Sequence, residues 1–323
     1  APAAHRDVLD ARQLETTPAT TIDDLLRQIP AFSLFRRSSG QVANPTTQGV
    51  TLRGIAPSGA SRSLVLLDGM PLNDPFGGWV VWQRVPMLSL ASAEVTRGGV
   101  SSQWGSAALA GLIQLRTAEE APTRLQSSYG SQDTWDARAH FLGGDENGSL
   151  QLAADWRESS GYPVLAKDQR GGIDTAADAE HRQIWARMRG GSEGQAWTLA
   201  GGAFQEERDN GTRLTGNSTD IRWASLGLDW AVDGGQAEWL LYGQDQRYES
   251  LFSAQAENRQ SETPALDQFA VPAQALGSSL SWNRGPLTLG FDLRAVEGET
   301  RERYFFSEGD FQRERRAGAE QQF

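Results

Sequence analysis

The chain has 323 residues, a formal charge of −11 and no cysteine. That balance excludes a disulfide framework and a cysteine-based zinc site, and it argues against nucleic-acid binding, which needs clustered Lys and Arg. Mean hydropathy is −0.49 and no apolar run reaches the length of a membrane helix, but a membrane barrel stays open because barrel strands alternate apolar and polar residues.

Residues 1–118 read as a mixed α/β unit, with short strand signals at 8–9, 32–35, 50–52, 64–67, 93–96 and 112–115. One helix is well signalled. Thr20 or Thr21 caps it, Asp23 and Asp24 sit in its first turn, and Pro30 ends it. Ile22, Leu25, Leu26 and Ile29 form its apolar face. Pro86 opens a shorter helix that runs through Leu90. Asp68-Gly69 is a tight-turn signal between strands.

From Pro122 the pattern changes to period two. Trp135, Ala137, Ala139 and Phe141 alternate with Asp136, Arg138 and His140. Leu150, Leu152, Ala154 and Trp156 alternate with Gln151, Ala153, Asp155 and Arg157. The same holds for Leu226, Leu228, Trp230 and Val232, and for Leu287, Leu289, Phe291 and Leu293. Short turns at 144–148, 190–194, 233–235 and 285–286 alternate with long polar loops at 158–180, 206–220 and 250–271. Short on one side and long on the other is the connectivity of an outer-membrane barrel, with Trp223, Trp230, Trp239 and Trp282 expected in its aromatic girdles. A soluble β-sandwich also alternates. It explains less well why charges persist on the opposite face of strand after strand.

Five motifs occur in order: Asp24-Leu-Leu-Arg-Gln-Ile-Pro, Leu52-Arg-Gly, Leu66-Leu-Asp-Gly-Met-Pro-Leu-Asn, Val95-Thr-Arg-Gly and Trp104-Gly-Ser-Ala-Ala-Leu-Ala-Gly-Leu-Ile. Together they resemble the plug domain of TonB-dependent outer-membrane receptors. The resemblance implies an α+β plug over 1–118 and, over 122–323, the N-terminal portion of an antiparallel transmembrane β-barrel. About ten strands are counted there, whereas plugged transporters use 22 and eight strands hold only their own side chains. The chain therefore reads as part of a longer protein, with Phe323 an arbitrary stop. No secretory signal is visible at the start, and residues 8–9 read as the plug's first strand rather than as a TonB-docking segment.

The implied function is import, not catalysis. The expected ligand is a ferric siderophore, with cobalamin and oligosaccharide as other readings. Expected partners are TonB with its inner-membrane motor, outer-membrane lipid and a small-molecule ligand such as a metal chelate, with no cofactor and no nucleic acid. The rival is a soluble or surface β-rich ligand-binding module without transport. An enzyme finds no support: His5, His140 and His181 are scattered, and there is no HExxH, nucleophile elbow or P-loop.

By the family's geometry two plug loops face outward. The first, 36–46, offers Arg36, Arg37, Gln41 and Asn44; the second, 73–84, offers Phe76, Trp79, Trp82 and Gln83. Aromatic faces with Arg forks suit a large amphipathic ligand rich in oxygen; for Trp79 and Trp82, packing on the barrel wall is the equal alternative. Arg53, Glu94 and Arg97 are expected either in charge pairs between plug and wall or solvated in a wet lumen. Asp168, Asp174, Asp178 and Glu180 in loop 166–180 do not match EF-hand spacing, so this loop reads as a solvated acidic loop rather than a calcium site.

Overall fold

A computed structural model of the chain describes residues 5–36, 38–52, 58–98, 108–120, 122–145 and 147–322. The plug begins with β1 (His5–Leu9), α1 (Ala11–Thr16) and α2 (Ile22–Leu26). It continues through β2 (Phe32–Leu34), β3 (Val50–Leu52), β4 (Leu64–Leu67), β5 (Met70–Pro71), β6 (Leu90–Arg97) and β7 (Gly111–Thr117). Helix α1 escaped the sequence reading. Asp10 and Gln13 close a capping box on it, but it buries only Leu14 and so shows no periodic face. The helix expected after Pro86 is a single 3-10 turn, Met87–Ser89, that hands the chain to β6.

The plug sheet runs β1-β6-β7-β4-β5, with β4 and β7 parallel and its other pairings antiparallel. The turn from β4 to β5 takes Asp68 at φ 48° and Gly69 at φ 85°, the paired positive angles of the tight hairpin that Asp-Gly favours. Asp68 also accepts from the backbone N–H and hydroxyl of Thr117 at 2.9 and 2.6 Å, which ties the turn to the end of β7. Ile22, Leu25, Leu26, Leu52, Val65, Ile113 and Leu115 make the core beneath.

Ten further strands follow in an antiparallel meander. They are β8 (Arg124–Gly130), β9 (Thr134–Asp145), β10 (Gly148–Tyr162), β11 (Ala177–Ser192), β12 (Gln195–Asp209), β13 (Gly216–Val232), β14 (Gly235–Gln255), β15 (Glu262–Arg284), β16 (Leu287–Ser307) and β17 (Asp310–Gln322). Flat, ten strands would span about 43 Å at a spacing of ~4.8 Å. Yet one small plug touches β9 through Arg138 and β17 through Gly318. The sheet therefore curls around it.

Alternation separates the two faces as the sequence suggests. Phe141, Leu152, Ile184, Leu289 and Phe291 point outward and are exposed, whereas His140, Gln151, Gln183 and Gln246 point inward and are buried. Apolar outside and polar inside is the inverse of a soluble protein and the pattern of a sheet facing hydrocarbon. Two expectations are corrected. The strands run far past the apolar band, up to 23 residues in β15, so the three long loops shrink to 163–176, 210–215 and 256–261. Above the band on β11 both faces are polar, as at Glu180 and His181, so period two disappears there while the backbone ladder continues. Trp223 points inward and packs with the plug core rather than joining an outer girdle.

Candidate functional site

The candidate site is the seam between plug and inner wall, with the space above it. Toward β9–β11 the seam is polar. Arg138 donates to the Thr20 carbonyl at 2.7 Å and to Asp136 at 2.8 Å, Arg157 donates to Asp136 at 3.1 Å, and Arg187 donates to the Thr117 hydroxyl at 2.8 Å. Toward β12–β15 it carries an apolar cluster, in which Trp79 and Val81 pack with Phe204, Ile221, Tyr248 and Val271, beside polar contacts from β12 and β14.

The first plug loop is anchored at both ends. Arg36 is 6% exposed; its guanidinium binds the carboxylate of Asp23 on α2 and the Ser38 carbonyl. Burial pushes Asp23 above and Arg36 below their usual ranges, and the attraction between them opposes both shifts. Arg36 thus holds the loop on the plug rather than offering a free fork to a ligand. Asn44 accepts from Thr46 at 3.0 Å, which caps a short 3-10 turn, and from the hydroxyl of Tyr248 on the wall, also at 3.0 Å. Gln41 stays half-buried. Gln83 donates to the Gly40 carbonyl at 3.0 Å. Arg37 and Arg53 lie outside the described residues.

The aromatics of the second loop divide. Trp82 is 1% exposed and belongs to the plug core. It meets Phe32 edge to face at 5.9 Å and donates to the Gln48 carbonyl at 3.2 Å. Trp79 packs 5.5 Å from the Tyr248 ring. Phe76, half-buried, lies against Gly298, where a side chain would have no room, and reaches Gly318 at ordinary contact distance.

Glu94 and Arg97, expected to reach the wall, have partners within the plug: Arg6 and Asp7 respectively. Both pairs bridge β6 to β1, so they hold the plug's first strand.

Further polar contacts with the wall come from residues the sequence did not single out. Arg84 donates to Gln244 at 3.0 Å and to the Pro71 carbonyl at 3.4 Å. Asp74 accepts from Gln246 on the wall and from the backbone N–H groups of Phe76 and Gly77. Burial raises Asp74 to about 6 and lowers Arg84 to about 10. Arg208 reaches from β12 to the carbonyls of Gly40 and Ala43 at 2.5 and 3.1 Å while pairing with Glu206 at 2.5 Å. Asp74-Pro-Phe-Gly-Gly is a readable turn signal. The strand residues look like any other polar alternation, so nothing in the sequence marks them out.

Above the seam, Asp174 of loop 163–176 takes Arg259 of loop 256–261 through Nη2 at 2.5 Å and Nε at 2.9 Å. Hydrogen bonding from Arg259 lowers Asp174 to about 2. The Ile173 N–H donates to the Arg259 carbonyl at 3.1 Å and Thr175 donates to Gly211 at 3.0 Å, so three loops are stitched together. A guanidinium thus neutralises the central carboxylate of this acidic loop. Among the described residues no three acidic or His side chains converge as a metal site.

Residues 2–112 match the family described as TonB-dependent Receptor Plug Domain. A curated relative, the vitamin B12 transporter BtuB of Vibrio vulnificus (strain CMCP6), is 24% identical over 265 residues, covering 79% of this chain and 41% of that protein. Among solved structures, the siderophore receptor PirA from Acinetobacter baumannii superposes with a TM-score of 0.67 at 16% identity, covering 92% of this chain and 48% of that one. The ferric enterobactin receptor PfeA (mutant R480A_Q482A) from Pseudomonas aeruginosa gives 0.67 at 16% identity, covering 93% and 50%. The chain spans about half the length of these relatives.

Proposed function

We propose that this chain, a TonB-dependent receptor plug followed by strands of its barrel, serves an outer-membrane receptor that captures a scarce, large ligand above the plug and admits it through the barrel. The reading extends to energised import through TonB and to a ferric siderophore as the ligand. One observation carries it: a plug with a hydrophobic core, joined by Tyr242 of the wall, sits against the largely polar inner face of a curled sheet whose outer face is apolar.

The seam suits a plug that is held yet movable. Its polar side is made of hydrogen bonds and ion pairs that water can replace, most of modest net value, with the buried Arg208 fork as the stronger hold. Its apolar side is the cluster around Trp79 together with Tyr242, Leu240 and Trp223 of the wall on the plug core. A pull on the plug exchanges the first for hydration and exposes the second, together with the edge of the plug core that Tyr242, Leu240 and Trp223 of the wall cover. Among the ligand residues expected from the sequence, Gln41, Asn44 and Phe76 keep part of their surface exposed.

The test is growth and uptake in a deletion strain of the source organism, restored with the full gene or with a form whose segment ahead of the plug cannot engage TonB. A defect confined to iron limitation, and not rescued by the uncoupled form, supports siderophore import. A defect confined to cobalamin dependence replaces the ligand but keeps the transport. No defect, with no binding of either ligand class, sinks the receptor reading and favours a surface binding module.

A further inference from the structure

Connections longer than about 12 residues are uncommon in compact folds, and many of them are mobile lids. Loop 163–176 is of that length, with one 3-10 turn at Lys167–Gln169. Its two neighbours are built differently. The pairing of β12 with β13 runs up to Asp209 and Gly216, and that of β14 with β15 up to Gln255 and Glu262. Turns 210–215 and 256–261 therefore cap continuous ladders, and moving either one means breaking backbone hydrogen bonds beneath it. Glu262 ties the two caps together: it accepts from the Leu214 N–H at 3.0 Å and from the Ser253 hydroxyl at 2.6 Å.

The long loop is fastened to both caps. Arg259 uses all three guanidinium nitrogens: Nε and Nη2 on Asp174 and Nη1 on Gln255 at 2.5 Å. Ile173 and Thr175 give their N–H groups to the carbonyls of Arg259 and Gly211, and Asp174 pairs with Thr212 in an isolated antiparallel bridge. Ile173 and Thr212 are buried. At Gly171 the two backbones approach so closely that a side chain would strike the Arg259 carbonyl. Within the loop, Arg170 donates to the Leu165 carbonyl at 2.7 Å. A bidentate charge pair, backbone hydrogen bonds and close packing thus meet at one seam. A lid would have to give up all three in every opening, whereas segments that open readily have few buried contacts.

We infer that loop 163–176 is not a hinged lid: with turns 210–215 and 256–261 it forms one fixed body at the mouth of the wall, positioned by Arg259, and it keeps its shape while ligand arrives and leaves. A preformed mouth of this kind avoids the entropy cost of ordering a loop at each capture.

The test uses the full-length receptor in outer membranes, with cysteines added to a stretch that has none. Nitroxide pairs at Lys167→Cys with Glu257→Cys, and at Lys167→Cys with Arg213→Cys, report the two distances from loop to turn. Each pair is expected to give one narrow distance that does not shift when a ferric tricatecholate, a ferric trihydroxamate or cyanocobalamin is added. Arg259→Gln and Gly171→Val are each expected to broaden both distances, the second without any change of charge. A broad or two-peaked distance in the receptor that carries only the labels, or a shift on adding a probe, overturns the inference. A second arm staples the loop. Residues opposed in an antiparallel bridge have Cα atoms about 4.5–5.5 Å apart, within the disulfide range of about 4.4–6.8 Å, so Asp174→Cys with Thr212→Cys can close. The oxidised pair is expected to import whichever of the three probes the wild type imports, no more slowly than the reduced pair. Import lost on oxidation and regained on reduction overturns the inference. This arm rests on the receptor reading above. A wild type that neither binds nor imports any probe sinks that reading, while the ligand-free distances still decide the inference.

Discussion

The carboxylate of Asp74 on the plug accepts a hydrogen bond from the side-chain amide of Gln246 on the wall, inside a seam that excludes water from both. Because burial lifts Asp74 from 3.8 to about 6, the protonated form is the one the folded state favours. Its stabilisation is full below pH 4 and is lost as pH rises through about 6. A shift of this size corresponds to roughly 3 kcal/mol at most. Seating of the plug should therefore strengthen on acidification from pH 7 to 4, and Asp74→Asn should flatten that dependence. Urea midpoints for plug release, followed by tryptophan fluorescence across this range, check it. A wild-type profile as flat as that of the variant would refute the assignment.

Arg208 is the wall's hold on the first plug loop. Replacing it with Met leaves Glu206 buried without its partner and frees two loop carbonyls, a class of change that costs about 3–5 kcal/mol. Lys should not rescue, since a single ammonium cannot reproduce a fork that serves two carbonyls and a carboxylate. Limited proteolysis within 38–48 should accelerate in both variants. The double substitution Arg208→Met with Glu206→Gln should recover much of the loss.

Trp79 and Tyr248 separate packing from hydrogen bonding at one contact. Tyr248→Phe keeps the ring contact but removes the hydroxyl donated to Asn44, so it should cost ~1 kcal/mol. Trp79→Ala empties the centre of the apolar cluster and should cost ~3 kcal/mol or more. Equal costs in thermal unfolding would mean that the cluster is not what holds this side of the plug.

How far the sequence reached follows from what each pattern measures. Alternation was legible in the apolar band because hydrocarbon imposes it, as with Phe141 and Leu152 against His140 and Gln151. It failed above the band, where Glu180 and His181 on β11 are both polar and only the ladder continues. The plug motifs were legible because their turns need particular residues, Asp68-Gly69 above all. Side-chain partners were not. Arg36 looked like a free fork until Asp23, 13 positions away, took it. Arg97 looked like a wall contact until Asp7 did. Arg84 and Gln244 meet across 160 positions, a separation on which no local pattern reports.

The ion pair of Asp174 with Arg259 makes the last prediction. Asp174 is lowered to about 2 by the hydrogen bonds from Arg259. The contribution of the pair is therefore present above the ordinary carboxylate value of 3.8 and lost as pH falls through about 2. Across pH 4 to 9 the three stitched loops should keep constant hydrogen-exchange protection. Arg259→Gln should raise exchange in 163–176 and 210–215 together, because Ile173 and Thr175 are carried by the same arrangement. Chelators should change nothing, since a guanidinium rather than a cation from solution neutralises this carboxylate. Loss of protection with a calcium chelator in the wild type, restored by calcium, would show that a metal and not Arg259 organises the loops.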